Sequence, residues 1–391
     1  MLQTVKSDIR LLPEQIMRNV QALCPGIKAS AERIRQLRRM PTDIADDLRR
    51  AGALRIGFSS DLGGPDMRLA DQVRLVEMLA MADASIAWNV MILCDSGYFA
   101  GRFKPAIARE IWPSLDMGTA APLFPPGRAE RVAGGYRITG RFRFGSGIHN
   151  AGVAAVPCYL HVDGRMVREA DGRPEHWQAF PPRESIEIHD SWHVTGLCGT
   201  GSNDYSVNDV FVPERHMFHY PLKGGTEFPP LSRYRGLLKI KKIGVVLGLT
   251  KTILDEVNVQ LGTKMTPKRT PVKNEYRAMV GMTQALGLLH AARAYALETA
   301  EEVDDAIWFD RPLERHQIGK VDMMSVMSAQ LCRQAADMAF DLVGTDQIFL
   351  AQRFAYLQAD LNVVMTHATH KLEWLPDAAK WLEPDGEPDR G

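Results

Sequence analysis

Trp192-His-Val-Thr-Gly-Leu-Cys-Gly-Thr-Gly-Ser-Asn-Asp-Tyr-Ser-Val-Asn-Asp-Val-Phe-Val-Pro213 sets a glycine-rich turn between two extended runs. Ser185 to Val194 leads in and Val207 to Val212 leads out. Within Gly199-Thr200-Gly201-Ser202-Asn203-Asp204, two residues lack a Cβ, so the backbone can lie against a flat or anionic ligand. Thr200, Ser202 and the backbone N–H groups are the donors at hand. From residue types alone, the hexapeptide reads first as a plain turn joining two strands.

Upstream of it the chain reads as strand. Gly134-Gly135-Tyr136 opens a strict alternation, with Tyr136, Ile138, Phe142 and Phe144 on one side and Arg137, Thr139, Arg141 and Arg143 on the other. A period of two with one wet face predicts an antiparallel, half-buried strand. Val153 to Val162 is a second strand candidate, followed by the polar loop Asp163 to Pro174.

Both flanks read as helix. Ala31 to Arg50 carries Ile34, Leu37, Ile44 and Leu48 among charges, with a break at Met40-Pro41. Leu69 to Ala82 puts Val73, Val76 and Leu79 on one side, and Ser85 to Phe99 is apolar almost all round, the pattern of a helix buried on most faces. Downstream, the spacing predicts helices over Ile243 to Val259, from an N-cap at Thr270-Pro271 to about Asp305, over Gln317 to Val343 with Gly344 as its stop, and over Arg353 to Trp374. Four such helices make an antiparallel bundle. The expected class is α+β, mainly α. Residues 1–116 form an N-terminal helical domain, 117–225 a central antiparallel β domain and 226–391 a C-terminal four-helix bundle.

Composition narrows the function. The 391 residues are 45% hydrophobic and 24% charged, with no net charge, which fits a soluble globular protein and disfavours nucleic acid or an acidic membrane surface as partner. The five cysteines are scattered, with no Cys-x-x-Cys, as expected in a reducing compartment and not of a zinc site. The N-terminus has no apolar signal core, and Ile243 to Leu249, the longest apolar run found, is far too short to span a bilayer. A cytoplasmic location is expected.

The spacing Trp192-x-x-x-Gly196-x-x-Gly199-Thr200-Gly201-Ser202-x-Asp204, closed by Asp209-Val-Phe-Val-Pro213, resembles the central flavin-contacting segment of the acyl-CoA dehydrogenase fold. It most resembles the branch of two-component, reduced-flavin-dependent monooxygenases, such as hydroxyphenylacetate and steroid-phenol hydroxylases and dibenzothiophene monooxygenase. The likeness runs in order along nearly the whole chain. It implies reduced FMN or FAD supplied by a separate reductase, O2 as co-substrate, a C4a-hydroperoxyflavin, an aromatic or heteroaromatic small-molecule substrate and a homotetramer. No Gly-x-Gly-x-x-Gly follows a strand, which fits a partner reductase.

The resemblance also implies roles for particular residues. Phe144-Gly-Ser146-Gly matches a Phe-x-Ser-Gly whose serine lies near the flavin N5 and C4a edge, where a hydroxyl can hydrogen-bond the hydroperoxide and slow its loss. Phe144, Trp192, Gly199, Thr200, Gly201, Ser202 and the loop residue Arg269 are the implied flavin contacts. Pro122 to Gly127 resembles the end of the first flavin-contacting strand. Asp360 and His367, seven apart, match the helix that delivers a histidine to the flavin. With an ordinary pKa of about 6.5, that histidine can take a phenol or pyrrole-type proton, or protonate a leaving peroxide oxygen. His370 would share its helix face, and no His-Glu-x-x-His motif supports a metal. Trp88, Cys94, Asp95 and His370 are the substrate-pocket candidates.

The chain departs from the branch at three points. Cys94-Asp95-Ser96 stands where many relatives carry a histidine, Ala359 where an arginine precedes the aspartate, and Phe142 where a tryptophan is usual. Ordinary acyl-CoA dehydrogenases carry a glutamate within Tyr-Glu-Gly, where this chain has Met365-Thr-His367-Ala-Thr. A dehydrogenase with an unrecognised base and a flavin-free scaffold stay open as alternatives.

Overall fold

The computed structural model describes residues 11–122, 126–220, 227–345 and 353–382. The first helices are α1 (Pro13–Ala29), α2 (Ala31–Leu37), α3 (Thr42–Ala51), α4 (Leu69–Ala82), α5 (Ala84–Leu93), α6 (Ser96–Ala100) and α7 (Pro105–Ile111). After the sheet come α8 (Leu237–Ile240), α9 (Ile243–Thr263), α10 (Tyr276–Trp308), α11 (Arg315–Val343), α12 (Arg353–Met365) and α13 (Leu375–Leu382). The strands are β1 (Thr119–Ala120), β2 (Gly127–Val132), β3 (Gly135–Gly145), β4 (Val153–Ala154), β5 (Val156–Val162), β6 (Arg165–Met166), β7 (His176–Ala179), β8 (Glu187–His189), β9 (Asn203–Pro213) and β10 (Met217–Tyr220). They gather into two units: Met1–Met67, Trp88–His193 and Cys198–Arg235 in one, Arg68–Ala87, Val194–Leu197 and Gly236–Gly391 in the other.

The first unit is built on a sheet ordered β10-β7-β5-β2-β3-β9-β8, with β6 on β5. Its ladders are antiparallel except β2 beside β5, and β1 pairs with β4 in parallel as well. The spine is β3 against β9, from Gly135 opposite Pro213 to Gly145 opposite Asn203. Tyr136, Ile138 and Phe142 are buried, as the alternation requires. Phe144 is not: the register shifts between Phe142 and Gly145, Phe144 takes a φ of +62°, and its ring is 56% exposed. A bulge has inserted a residue and turned the ring out of the core face. The apolar run Ser85 to Phe99 is buried but not one helix. It breaks between Leu93 and Ser96, where a Cβ on Gly97 would stand 1.9 Å from the Gly57 carbonyl, so the two backbones meet directly.

In the second unit α4 joins the later helices. Ile243 to Leu249 is apolar because α9 crosses α4 closely: a Cβ on Gly248 would lie 2.2 Å from the Glu77 carbonyl oxygen. Asp304 of α10 accepts the Leu69 and Ala70 N–H groups at 2.8 and 3.0 Å, capping α4 from another helix. Two helix ends differ from the sequence reading. Thr270-Pro271 closes a turn by pairing with Thr266 and Met265, and α10 begins only at Tyr276. The last long helix ends at Met365, because His367 becomes extended (φ −65°, ψ 138°) and its ring accepts the Thr369 N–H.

Candidate flavin and oxygen site

β3 ends at Gly145 and β9 begins at Asn203, so the Ser146 turn and the Gly199–Ser202 turn lie side by side in the first unit. The Gly147 N–H donates to the Thr200 carbonyl at 3.0 Å. Ser146 Oγ and Ser202 Oγ are 2.8 Å apart, as are Ser202 Oγ and Thr200 Oγ1. The Trp88 indole N–H donates to Ser146 Oγ at 3.1 Å. All four side chains are buried. A chain of three hydroxyls anchored by an indole, with no charged member, forms a polar strip in an apolar wall. Asn89, one residue on, donates to the Gly199 carbonyl at 3.1 Å, and its own Oδ1 has no partner among the described residues. Gly201 has φ +53°, and a Cβ there would press on Arg39 at 2.9 Å, so its conformation and its contact both require glycine.

Beside this strip the exposed Phe144 ring meets Trp192 edge-on, centroids 6.3 Å apart. The Arg143 guanidinium sits 4.9 Å from the Phe144 centroid. Trp192 is held from behind by Arg38, which donates to its carbonyl at 3.0 Å while clamping Asp190 through both nitrogens. His149, two residues past Gly147, is half-buried, and desolvation with nearby Arg39 pulls its pKa down, so it is neutral. An exposed and a half-buried aromatic ring next to buried hydroxyl donors suit the face and polar edge of an isoalloxazine, so the residues present fit a flavin.

The other candidates lie in the second unit. Asp360 of α12 accepts the Leu197 N–H at 2.6 Å, and a Cβ on Gly196 would fall 2.2 Å from the Ala359 carbonyl oxygen. Leu197, buried with φ +50°, is pinned there immediately before the Cys198–Thr200 turn. Desolvation, then neighbouring Asp83, pushes Asp360 up to about 7. His367 and His370 do not share a helix face, since α12 has already ended, yet their rings remain 5.9 Å apart. Burial, Lys242 and His370 drive the His367 pKa well down. His370 is fully buried and lowered to about 4. Its Nδ1 reaches the Ser325 carbonyl at 3.2 Å, and its Nε2 has no partner among the described residues.

The remaining candidates fall elsewhere. Cys94 is buried, its Sγ donating to the Met91 carbonyl at 3.3 Å. Asp95, 5% exposed, heads α6 in the first unit. Arg269 sits on the exposed Thr266–Thr270 turn with φ +60°. The loop Pro122 to Gly127 lies in part, over 123–125, outside the described residues. Among the described residues, no group of His, Cys, Asp and Glu could hold a metal and no helix is long and apolar enough to cross a membrane. Sequence reading missed Asn89 and Arg38. Arg38 meets partners more than 150 positions away, and Asn89 sits unmarked in an apolar run.

Residues 243–372 match the family model for the acyl-CoA dehydrogenase C-terminal domain. The fold superposes on XiaF from Streptomyces sp. in complex with FADH2 and glycerol with a TM-score of 0.86, at 20% identity over 95% of this chain and 96% of that one. The chain has the acyl-CoA dehydrogenase fold. Within that fold it resembles flavin-dependent monooxygenases over most of its length. It is 27% identical to the indole-3-acetate monooxygenase of Pseudomonas putida over 89% of both chains. It is 23% identical to the oxygenase component of p-hydroxyphenylacetate 3-hydroxylase of Acinetobacter baumannii over 90% of this chain and 85% of that one. Acyl-CoA-dehydrogenase-fold proteins that act as dehydrogenases need a carboxylate base. Here Glu373 lies exposed on the short Leu372–Trp374 turn, and Met365 to Thr369 contains no acid.

Proposed function

We propose that this chain is the oxygenase component of a two-component flavin-dependent monooxygenase. It takes reduced flavin, FMN or FAD, from a separate reductase and passes one atom of O2 to an aromatic or heteroaromatic small molecule. The observation that carries this is the buried, uncharged strip Trp88–Ser146–Ser202–Thr200 on the glycine turn. Reduced flavin, when bound, supplies the electrons that activate O2. Three hydroxyls joined by two contacts use two protons. With Thr200 donating to Ser202 and Ser202 to Ser146, the Ser146 proton is left to offer a ligand. The Trp88 indole fixes that oxygen from the other side. Phe144 and Trp192 flank the ring system, and Gly199 and Gly201 let the backbone come close. Arg269 is assigned to the flavin phosphate.

His367, neutral at working pH, is assigned to take the proton of a phenol or heteroaromatic N–H; Trp88, Cys94, Asp95 and His370 are kept as the substrate-binding assignments. The working domain division remains 1–116, 117–225 and 226–391. A homotetramer is supported by apolar side chains on one stretch of α10, Tyr276, Met279 and Leu286, left exposed in the single chain. Five cysteines, none of them in a disulfide, support a cytoplasmic location.

The test is stopped-flow absorbance: protein with anaerobically reduced FMN or FAD, mixed with oxygenated buffer without substrate. A transient near-ultraviolet band decaying slowly to oxidised flavin is the expected result. Reoxidation as fast as free flavin would overturn the proposal, and reduction of bound flavin by an acyl-CoA thioester would put the dehydrogenase in its place.

A further inference from the structure

We propose that Asn89 is a positioning residue for the oxygen chemistry: its amide fixes the glycine turn that sets the Ser146 hydroxyl. This rests on the monooxygenase reading above and adds to it a residue that acts through Ser146.

Asn89 lies in the middle of α5 among Ile86, Ala87, Val90 and Met91, all of them buried, and is itself 0% exposed. Asparagine is a weaker helix former than leucine, and an amide buried among apolar side chains costs stability unless both its halves are paired. Among the described residues only the donor half is. Nδ2 donates to the Gly199 carbonyl at 3.1 Å, whereas Oδ1 has no hydrogen-bond partner. What Oδ1 meets is Gly147, where a Cβ would stand 3.0 Å away. A leucine of similar size would occupy this place without the unpaired acceptor. The core therefore does not require asparagine at 89, and the bond to Gly199 is what sets it apart.

That bond stands at the head of the polar strip. Thr200 follows Gly199; its carbonyl accepts the Gly147 N–H at 3.0 Å, and its Oγ1 is 2.8 Å from Ser202 Oγ. Ser202 Oγ is in turn 2.8 Å from Ser146 Oγ. One residue before Asn89, Trp88 donates its indole N–H to Ser146 Oγ at 3.1 Å. Consecutive residues of α5 hold the two turns separately, Trp88 the Ser146 side and Asn89 the Gly199 side, so one helix fixes the span between them. Moving the Gly199 peptide carries Thr200 with it, stretches the contacts through Ser202 and turns the Ser146 proton off its target. Hydrogen bonds weaken steeply with misalignment, so a small displacement is enough. Gly147, at φ +72°, already lies against Asn89 and Leu93, which keeps the Ser146 turn from sliding towards α5 to compensate.

The test uses the whole protein with saturating, anaerobically reduced FMN or FAD, mixed with oxygenated buffer without substrate. It reads the lifetime of the transient near-ultraviolet band. Asn89→Leu should shorten that lifetime about tenfold or more, the scale of a lost transition-state donor. Its Tm should stay within about 3 °C of the wild type, since the substitution removes an unpaired acceptor as well as a hydrogen bond. Asn89→Ser, whose hydroxyl can turn to the α5 backbone, removes the Gly199 bond without added apolar bulk and should shorten the lifetime equally. In a Ser146→Ala background, Asn89→Leu should change the lifetime less than about twofold, because the hydroxyl it acts through is gone. Lifetimes that follow Tm across the two variants would make Asn89 a packing residue and overturn the proposal. Full, independent effects of Asn89→Leu and Ser146→Ala in the double variant also overturn it. A long-lived wild-type band that survives both Asn89 substitutions removes the role of Asn89 alone, whereas a wild-type protein with no band overturns the monooxygenase reading itself.

Discussion

Ser146 Oγ accepts the Trp88 indole N–H and lies 2.8 Å from Ser202 Oγ, and in the proposed order, with Ser202 donating, its own hydrogen is the one offered outside the strip. Ser146→Ala should leave reduced-flavin affinity within about twofold, while hydrogen peroxide rises and product per O2 falls roughly tenfold or more, as for other lost transition-state donors. Equal peroxide yields from both proteins would remove the residue from the mechanism. His367 carries the complementary prediction. His367→Ala should lower hydroxylation about a hundredfold with flavin binding intact, and unchanged coupling of O2 to product would end that role. Its pKa lies well below the ordinary 6.5, so the imidazole stays a proton acceptor as pH falls from 8 to 6. An acid limb near 6.5 that vanishes in His367→Ala would contradict the assigned environment. Both candidates were picked out of the sequence because each sits in a short pattern, Phe-x-Ser-Gly and Asp followed by His. The outward turn of Phe144 and the neutral His370, with its Nε2 lacking a partner among the described residues, were not, since a bulge and a desolvated ring depend on what packs around them.

At the scale of elements, Leu197 and Asp360 join the segment before the glycine turn to α12. Gly196 is where the two backbones touch, so Gly196→Ala must displace one of them. A loss of a few kcal/mol, with weakened flavin binding, is expected from chemical denaturation and flavin titration. Asp360 gives a pH signature. An unfolded aspartate ionises near 3.9, whereas desolvation holds Asp360 up to about 7 and Asp83 up to about 6 in the folded chain. The folded protein therefore binds the extra protons between those values, and stability from this pair falls as pH rises through about 4 to 7. Asp360→Asn keeps an acceptor for the Leu197 N–H and removes the titration. Its Tm should exceed that of the wild type by roughly 2 °C or more at pH 8 and match it near pH 4. A Tm difference independent of pH would show that Asp360 does not titrate in this window.

For the whole molecule, the assembly proposal predicts a particle about four times 43.6 kDa by light scattering, with Tyr276→Glu and Met279→Glu on α10 shifting it to smaller species; a wild-type monomer would refute it. What the sequence determined by itself was local and periodic. The strand alternation from Tyr136, the amphipathic helices and the glycine turn between two strands depend on spacing along a few residues, and spacing survives without knowledge of partners. Only the tertiary structure decided that α4 packs with the later helices through Gly248, that α12 stops before His367, and that Trp88, Ser146, Thr200 and Ser202 share one hydrogen-bonded strip. Apart from the His367–Thr369 contact that stops α12, these join residues tens to hundreds of positions apart, and such contacts follow from how apolar faces and backbones fit in three dimensions, which no local pattern records.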